Sequence, residues 1–431
     1  MLDICFEYVQ RWIYKNIGNP SDVYSAISPL LFPCFFLGLT PYSIKKSSLK
    51  NSINYSKWGI IFTFIMAIVI ICSVVFNIEN DDTQSFKQNL MYYQEMAAGI
   101  FSLCGLLVLC VFSRKLMNIF PNINEVDEAI KVLLIWVDHR ETYVKVLLSV
   151  IFIVMYMILG ISWLILEWTN VVSPFFFRDN RASVVAKLMI PYFLTIIMEF
   201  IYCLFMSLVR SRFNLLNKYL ETLVPQRKST KSWAIKVEPS ILPQNVRLTE
   251  KITKSLDPTF VVNHIAALHV KLTDTAHVIN KTFALQQLLK LAVTFVSIVS
   301  ALYFIAIYFS NPEHRSLDVL FVLWALSNAL ETLGIVYVTS ETSEEANYCP
   351  RILHKIRNNS ENEELQDTIE IYSLQMYHNR LIFSIMGLFP LDYSLLYTMA
   401  AGITTYLVIL IQFNPKDFSP IANATTTVIN S

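Results

Sequence analysis

Four polar side chains recur on one face of an otherwise apolar stretch. Tyr192, Thr195, Glu199 and Tyr202 stand at i, i+3, i+7 and i+10, the spacing that lines up side chains along one side of an α-helix. A second stretch repeats the device with Trp324, Asn328 and Glu331 at i, i+4 and i+7. A third ends in Trp163, Glu167 and Trp168, and a fourth carries Ser297, Ser300 and Tyr303. Rings that stack, together with carboxylates, hydroxyls and an amide that exchange hydrogen bonds, make recognition chemistry rather than catalysis. The set suits a polyhydroxylated molecule such as a sugar or polyol. It would also suit a small amine or alkaloid held by a carboxylate and by cation–π contact. The same groups also bond one another across helices in membrane bundles, so a ligand pocket and helix-to-helix packing both stand at this point. Glu331 lies toward the cytoplasmic end of its stretch, where a packing or gating role competes with ligand contact.

The last apolar stretch reads Thr405-Tyr406, five aliphatic residues, then Gln412-Phe413. Polar groups cost free energy in hydrocarbon unless they find partners or line a water path. Thr405, Ile409 and Gln412 share one helical face, and Tyr406, Leu410 and Phe413 the neighbouring one. Were several subunits to meet along this helix, Ile409 and Phe413 would form apolar rings that close a pore by dewetting. Gln412 would then supply a polar ring at the outer mouth. One subunit cannot surround a channel, so this reading requires an oligomer. An ordinary packing helix is the alternative.

The remaining motifs exclude much. The seven histidines include no HExxH pair, and neither a GxSxG elbow nor a Ser/His/Asp grouping occurs, so no enzyme is expected. With nine glycines, the chain has no GxGxxG or GxxxxGK phosphate loop. The seven cysteines show no CxxC spacing and fall mostly inside apolar stretches; no metal and no cofactor is expected. A net charge of +1 without a basic, aromatic-studded patch gives no nucleic-acid partner.

Of the whole chain, 54% is hydrophobic and 16% charged, against about 25% charged in a soluble domain. Membrane lipid is the expected surrounding. Seven stretches reach the roughly 20 apolar residues a spanning helix takes: Trp58–Ile78, Tyr92–Phe112, Tyr143–Trp168, Leu188–Val209, Leu288–Phe309, Leu317–Val338 and Ser384–Phe413, the last crossing from near Leu391. An eighth, Tyr24–Ile44, carries Pro29, Pro33, Pro41 and Gly38, which disfavour a straight helix and point to an interfacial or re-entrant segment. The mix of Asp3, Glu7, Arg11 and Lys15 among aromatics gives no expectation of a cleavable signal peptide. Lys and Arg number 26 on one side of these spans and six on the other. The positive-inside tendency therefore puts the N-terminus in the cytoplasm and the C-terminus outside, the reverse of a G-protein-coupled receptor.

The fold class is thus all-α, a polytopic membrane protein with seven transmembrane helices. Residues 1–57 form a cytoplasmic N-terminal region, 58–338 the first six spans, 339–390 a cytoplasmic anchor, 391–413 the last span and 414–431 a short outer tail. Two cytoplasmic segments look like prolonged span helices. In Lys115–Glu141, Leu116, Ile119, Ile123, Val126 and Ile130 recur at steps of three and four, with Pro121 a candidate break. From Pro258 onward, Ile265, Leu268, Leu272, Ile279 and Phe283 share a face. Glu341, Glu344 and Glu345 read as a solvated face. Leu365–Arg380 reads as an amphipathic helix, either a plain surface helix or a contact between subunits below the membrane.

The string Thr405-Tyr406, five apolar residues, Gln412-Phe413 matches the signature of insect gustatory receptors, and the architecture resembles that family over the whole chain. The resemblance implies kinship with insect odorant receptors, whose subunits form tetrameric ligand-gated cation channels. It further implies a pore lined by the last helix with Gln412 and Phe413 near the gate, and a tastant pocket in the outer part of each subunit. A homotetramer, or a heteromer with related receptors, in the plasma membrane of chemosensory neurons follows. The motif is most similar to the fructose-sensing branch. The chain departs from it at Lys187-Leu188-Met189-Ile190-Pro191 and at Glu341-Thr342-Ser343, and from the general sugar-receptor branch at Leu407. The implied ligand is a sugar or polyol, with bitter plant compounds the alternative. A metabotropic receptor conflicts with the charge count. A small-solute transporter would use Glu199, Glu331 and Asp392 as proton or substrate sites, but the chain shows no internal repeat.

Overall fold

The computed structural model describes residue 20 and residues 22–40, 42–45, 52–75, 86–133, 135–168, 181–224, 257–310 and 318–413. In chain order these form helix α1 (Val23–Phe36), a hairpin of β1 (Tyr42–Lys45) and β2 (Ser52–Tyr55), and α2 (Lys57–Val75), α3 (Phe86–Val111) and α4 (Ser113–Val132). Then come α5 (His139–Trp168), α6 (Arg181–Leu223), α7 (Pro258–Ser310), α8 (Asp318–Asn358), α9 (Glu363–His378), a two-residue hairpin β3–β4 (Ser384–Ile385 with Phe389–Pro390) and α10 (Tyr393–Phe413).

The expected spans Tyr143–Trp168, Leu188–Val209 and Leu288–Phe309 lie inside α5, α6 and α7, whereas Trp58–Ile78 and Leu317–Val338 run partly outside the described residues. α6, α7 and α8 are 43, 53 and 41 residues long. At 1.5 Å per residue each is about 60–80 Å, twice the hydrocarbon thickness, so each continues as a cytoplasmic rod. Among the described residues, the helices over Phe193–Leu223, Pro258–Ala306 and Tyr393–Phe413 are long and apolar enough to cross a membrane. Gly99–Val111 and Arg114–Val132 reach that length only as a pair, across a bend of 61°, and the second of them belongs to the packed core below the membrane.

Below the membrane the rods build a packed core. Leu116, Ile119, Ile123, Val126 and Ile130 of α4 are all buried, as are Ile265, Leu268, Leu272, Ile279 and Phe283 of α7. Side-chain bonds fix the rods in register. Asn214 Nδ2 and Asn217 Nδ2 donate to the Glu345 carboxylate at 2.8 and 3.1 Å, Arg210 donates to Glu341 at 2.5 Å, and the His269 ring Nε2 lies 2.9 Å from the Ala346 carbonyl. The acidic run at 341–345 is therefore not simply a solvated face: two of its carboxylates tie α8 to α6. At α9, Glu363 and Glu364 occupy the first turn behind an Asn362 cap, where negative charge meets the positive end of the helix dipole.

Three sequence expectations change in detail. Pro121 lies inside an unbroken α4, which stops at Val132 rather than reaching Glu141. Pro29 and Pro33 likewise lie inside α1. Proline at 29 removes a donor to the Ser25 carbonyl, and the Ser28 hydroxyl donates there instead, at 2.9 Å. With 14 residues α1 is about 21 Å long, too short to cross, and it packs along α5. The chain leaves it through Gly38, at φ +70, whose position a Cβ could not share with the Thr63 backbone 2.6 Å away. The Thr63 hydroxyl seals the approach by donating to the Gly38 carbonyl at 2.6 Å.

Candidate functional site

The polar residues within the spans come together on α7. Glu199 of α6 is buried and accepts from Gln287 Nε2 at 2.8 Å and Gln286 Nε2 at 3.3 Å. One turn further along α7, Lys290 donates to Asn328 Oδ1 at 3.4 Å and to the Glu331 carboxylate, both on α8. Lys290 and Glu331 are 3% and 17% exposed. Gln286, Gln287 and Lys290 at i, i+1 and i+4 project toward both neighbours, so α7 bridges α6 and α8. A carboxylate or ammonium taken out of water costs several kcal/mol unless paired. These groups meet that requirement with one another.

The spacing read as one stripe on each of α6 and α8 thus converges for Glu199, Asn328 and Glu331, while Thr195 is buried on α6. The side chains of Trp163, Glu167, Tyr192 and Trp324 lie outside the described residues. Gln286, Gln287 and Lys290 were missed by the sequence reading. Lys290 carried a signal, since an ionisable residue inside a span is a functional candidate by default; the two glutamines sit just before the apolar run and carried none.

In the charge-derived orientation this network lies in the inner half of the membrane, because Gln286 and Gln287 immediately precede the span that starts at Leu288. One and two turns further out on α7, the Thr294 and Ser297 hydroxyls are fully buried and have no hydrogen-bond partner. Unsatisfied buried hydroxyls cost on the order of 1–3 kcal/mol each.

The last helix presents the opposite pattern. In its apolar window α10 is 6% buried, against 72% for α6 and 44% for α7. Thr405, Tyr406, Ile409, Gln412 and Phe413 are all exposed, Phe413 at 80%. Its root is held: Leu391 and Leu395 are buried, and the Thr339 hydroxyl of α8 lies 2.9 Å from the Leu391 carbonyl it donates to. Higher up, the Phe295 ring of α7 meets the Tyr406 ring edge-on, centroids 5.6 Å apart.

A helical membrane bundle with a polar interior and a nearly bare terminal helix has the form of a multi-pass receptor. The chain belongs to the 7tm chemosensory receptor family, whose model matches residues 27–417. It is similar to the Drosophila melanogaster protein named as gustatory receptor 28a, at 25% identity over 93% of this chain and 94% of that protein. It is also similar to the Drosophila gustatory receptor for bitter taste 66a, at 25% identity over 36% of this chain and 30% of that one. The structure of the olfactory receptor OR5 from Machilis hrabei matches with a TM-score of 0.58 at 13% identity, over 95% of this chain and 100% of that chain. The same receptor in complex with eugenol matches at 0.61 and 14%, over 91% and 99%. The likeness to OR5 shows the fold, and the all-α seven-span class and the gustatory-receptor kinship read from the sequence are borne out.

Proposed function

We propose that this chain is a subunit of a tastant-gated, non-selective cation channel in the plasma membrane of chemosensory neurons, assembled as a homotetramer or with related receptors. The observation that carries the reading is the bareness of α10. A helix that only packs within its own subunit buries its polar motif, whereas this one leaves Thr405, Tyr406, Ile409, Gln412 and Phe413 exposed. Around a symmetry axis those residues would line a shared path, with Ile409 and Phe413 as the apolar constriction.

The ligand pocket lies between α5, α6, α7 and α8, with the Glu199–Lys290–Glu331 network as its floor and Thr294 and Ser297 facing its interior. Trp163, Glu167, Tyr192, Thr195, Trp324 and Asn328 complete it in this reading. Unpartnered hydroxyls above a layer of amides and carboxylates favour a ligand rich in hydroxyl groups, a sugar or polyol. The similarity to a receptor for bitter taste favours a second reading, a channel gated by bitter plant compounds.

Whole-cell recording from cells expressing the full chain, perfused with sugars, polyols and bitter alkaloids while G-protein signalling is blocked, tests both. A persisting ligand-evoked inward cation current supports the channel and separates the two ligand classes. A response that vanishes with the block, or saturable uptake without current, contradicts it.

A further inference from the structure

We propose that Phe295 is the residue through which α7 moves the last helix, acting on Gly402 and Tyr406 above a root that Thr339 and Asn280 hold in place. The proposal rests on the channel reading and names the coupling contact within it.

The root is pinned from two helices. Asn280 Nδ2 of α7 donates to the Ser384 carbonyl at 2.9 Å, and the Thr339 hydroxyl of α8 donates to the Leu391 carbonyl. Asn347 of α8 clamps the same connection from both sides, donating to the Leu381 carbonyl at 2.9 Å and accepting from the Leu381 amide at 3.1 Å. Above Leu395 every described residue of α10 is exposed or half-buried, so within its own subunit that length is held by few contacts.

Phe295 lies against the middle of that free length. Its ring crosses one turn of α10, from Gly402 to Tyr406, which share a face at i and i+4. A Cβ at Gly402 would sit 3.0 Å from Phe295 Cε2 and 3.4 Å from Cζ. The ring therefore occupies the space a side chain at 402 would need, the close approach that small residues permit between membrane helices. The other face of the Tyr406 contact is edge-to-face, at 88° between the rings. Phe295 also stands five residues beyond Lys290 on one continuous helix. A ligand that shifts the Lys290 network displaces the ring, and the ring displaces α10 about 16 Å above its pinned base, eleven residues at 1.5 Å each. Coupling of this kind needs contacts that differ between two states of the protein. A single ring seated on a glycine in one state provides such a difference.

The test uses the full chain, surface-labelled, and reads the basal sodium current in the absence of any tastant, defined by replacing sodium with N-methyl-D-glucamine. Gly402→Ala puts a methyl group against the ring and is expected to change that current about fivefold or more, while Phe295→Leu with Gly402→Ala returns it to within about twofold of wild type. A second cycle, Phe295→Leu with Tyr406→Leu, adds no volume and guards against misfolding of the alanine variant; strong non-additivity there supports the coupling too. Effects that multiply as independent changes in both cycles overturn it. Gln412→Ala separates the two readings. A changed current in Gln412→Ala beside unchanged Phe295 and Gly402 variants overturns the coupling alone. Where wild type carries no basal sodium current the same cycles are read on the tastant-evoked current, and absence of that current too, with surface labelling confirmed, overturns the channel reading and the coupling with it.

Discussion

Arg212 of α6 holds Asp127 of α4 in a two-bonded ion pair, Nε to Oδ1 at 3.0 Å and Nη2 to Oδ2 at 2.8 Å, with both side chains 2% exposed. The pair lies in the cytoplasmic rod region, where no lipid relaxes around it. Removing one partner leaves a buried charge without compensation, a cost of about 3–5 kcal/mol. Asp127→Ala is therefore expected to lower the melting temperature of the detergent-solubilised receptor by many degrees. Arg212→Lys is expected to recover little, because an ammonium cannot reproduce the planar two-point contact. Thermal melts followed by fluorescence-detected size exclusion check this, and a melting point unchanged in Asp127→Ala would remove the pair from the account of the anchor.

Beside that pair sits His139, its Nε2 4.0 Å from Asp127 Oδ2 and its Nδ1 buried without a partner. Burial holds its pKa below the usual 6.5, against the opposing pull of Asp127 and Asp22 and together with the repulsion of Arg212 and Lys131. A depressed folded-state pKa means that the unfolded chain takes the proton first. Its contribution is fully present above about pH 6.5 and is lost as pH falls from there through the lower folded value. Melting temperature is expected to drop between about pH 7 and pH 5, with a shallower drop in His139→Gln. Equal slopes for the two proteins would show that His139 is not the titrating group.

Lys290 and Glu331 make the equivalent experiment inside the membrane layer. Lys290→Met strips the donor from both Glu331 and Asn328, and a loss of about 3–5 kcal/mol is expected. Lys290→Met with Glu331→Leu is expected to recover most of it, since an apolar replacement of a whole buried pair is often near neutral. Surface expression and melting temperature of the two single variants and the double variant form the cycle. A double variant as unstable as the sum of the singles would mean that the two residues do not act as a pair.

The amphipathic helix α9 buries Leu365, Ile369 and Met376 against its own subunit and leaves Ile371, Leu374 and Tyr377 more than half exposed. Ile382, Met386 and Leu388, in and beside the following hairpin, are also more than half exposed. In the oligomer reading a second copy covers that surface. Ile371→Lys with Leu374→Lys is expected to shift the detergent-solubilised protein from oligomer to monomer by light scattering, with secondary structure retained. An unchanged mass would assign the surface to another role.

Much of this architecture was legible because it depends on local periodicity. The buried faces of α4 and α7 follow from apolar residues three and four apart, and the seven crossings follow from apolar length. Pairings between distant residues were not legible. Lys290 and Glu331 stand 41 residues apart, and Arg212 and Asp127 85 apart; each pair meets only through the crossing of two long helices, which no local pattern encodes. The glutamates at 341 and 345 looked like surface charge for the same reason, their partners lying on α6. Proline was over-weighted at positions 29 and 121, where tertiary packing keeps the helix intact. The convergence of the candidate stripes on α7 was hidden because the bridging glutamines sit outside the apolar run that drew attention to the spans.

The most direct test of the account is accessibility of Gln412 to the ion path. In cells expressing Gln412→Cys, a membrane-impermeant thiol-reactive cation applied from outside during a tastant-evoked current, or during basal current if no tastant is active, is expected to suppress that current, while wild-type current persists under the same exposure. Identical, undiminished currents in the two proteins, with labelling of the introduced cysteine verified, would contradict a pore lined by the last helix.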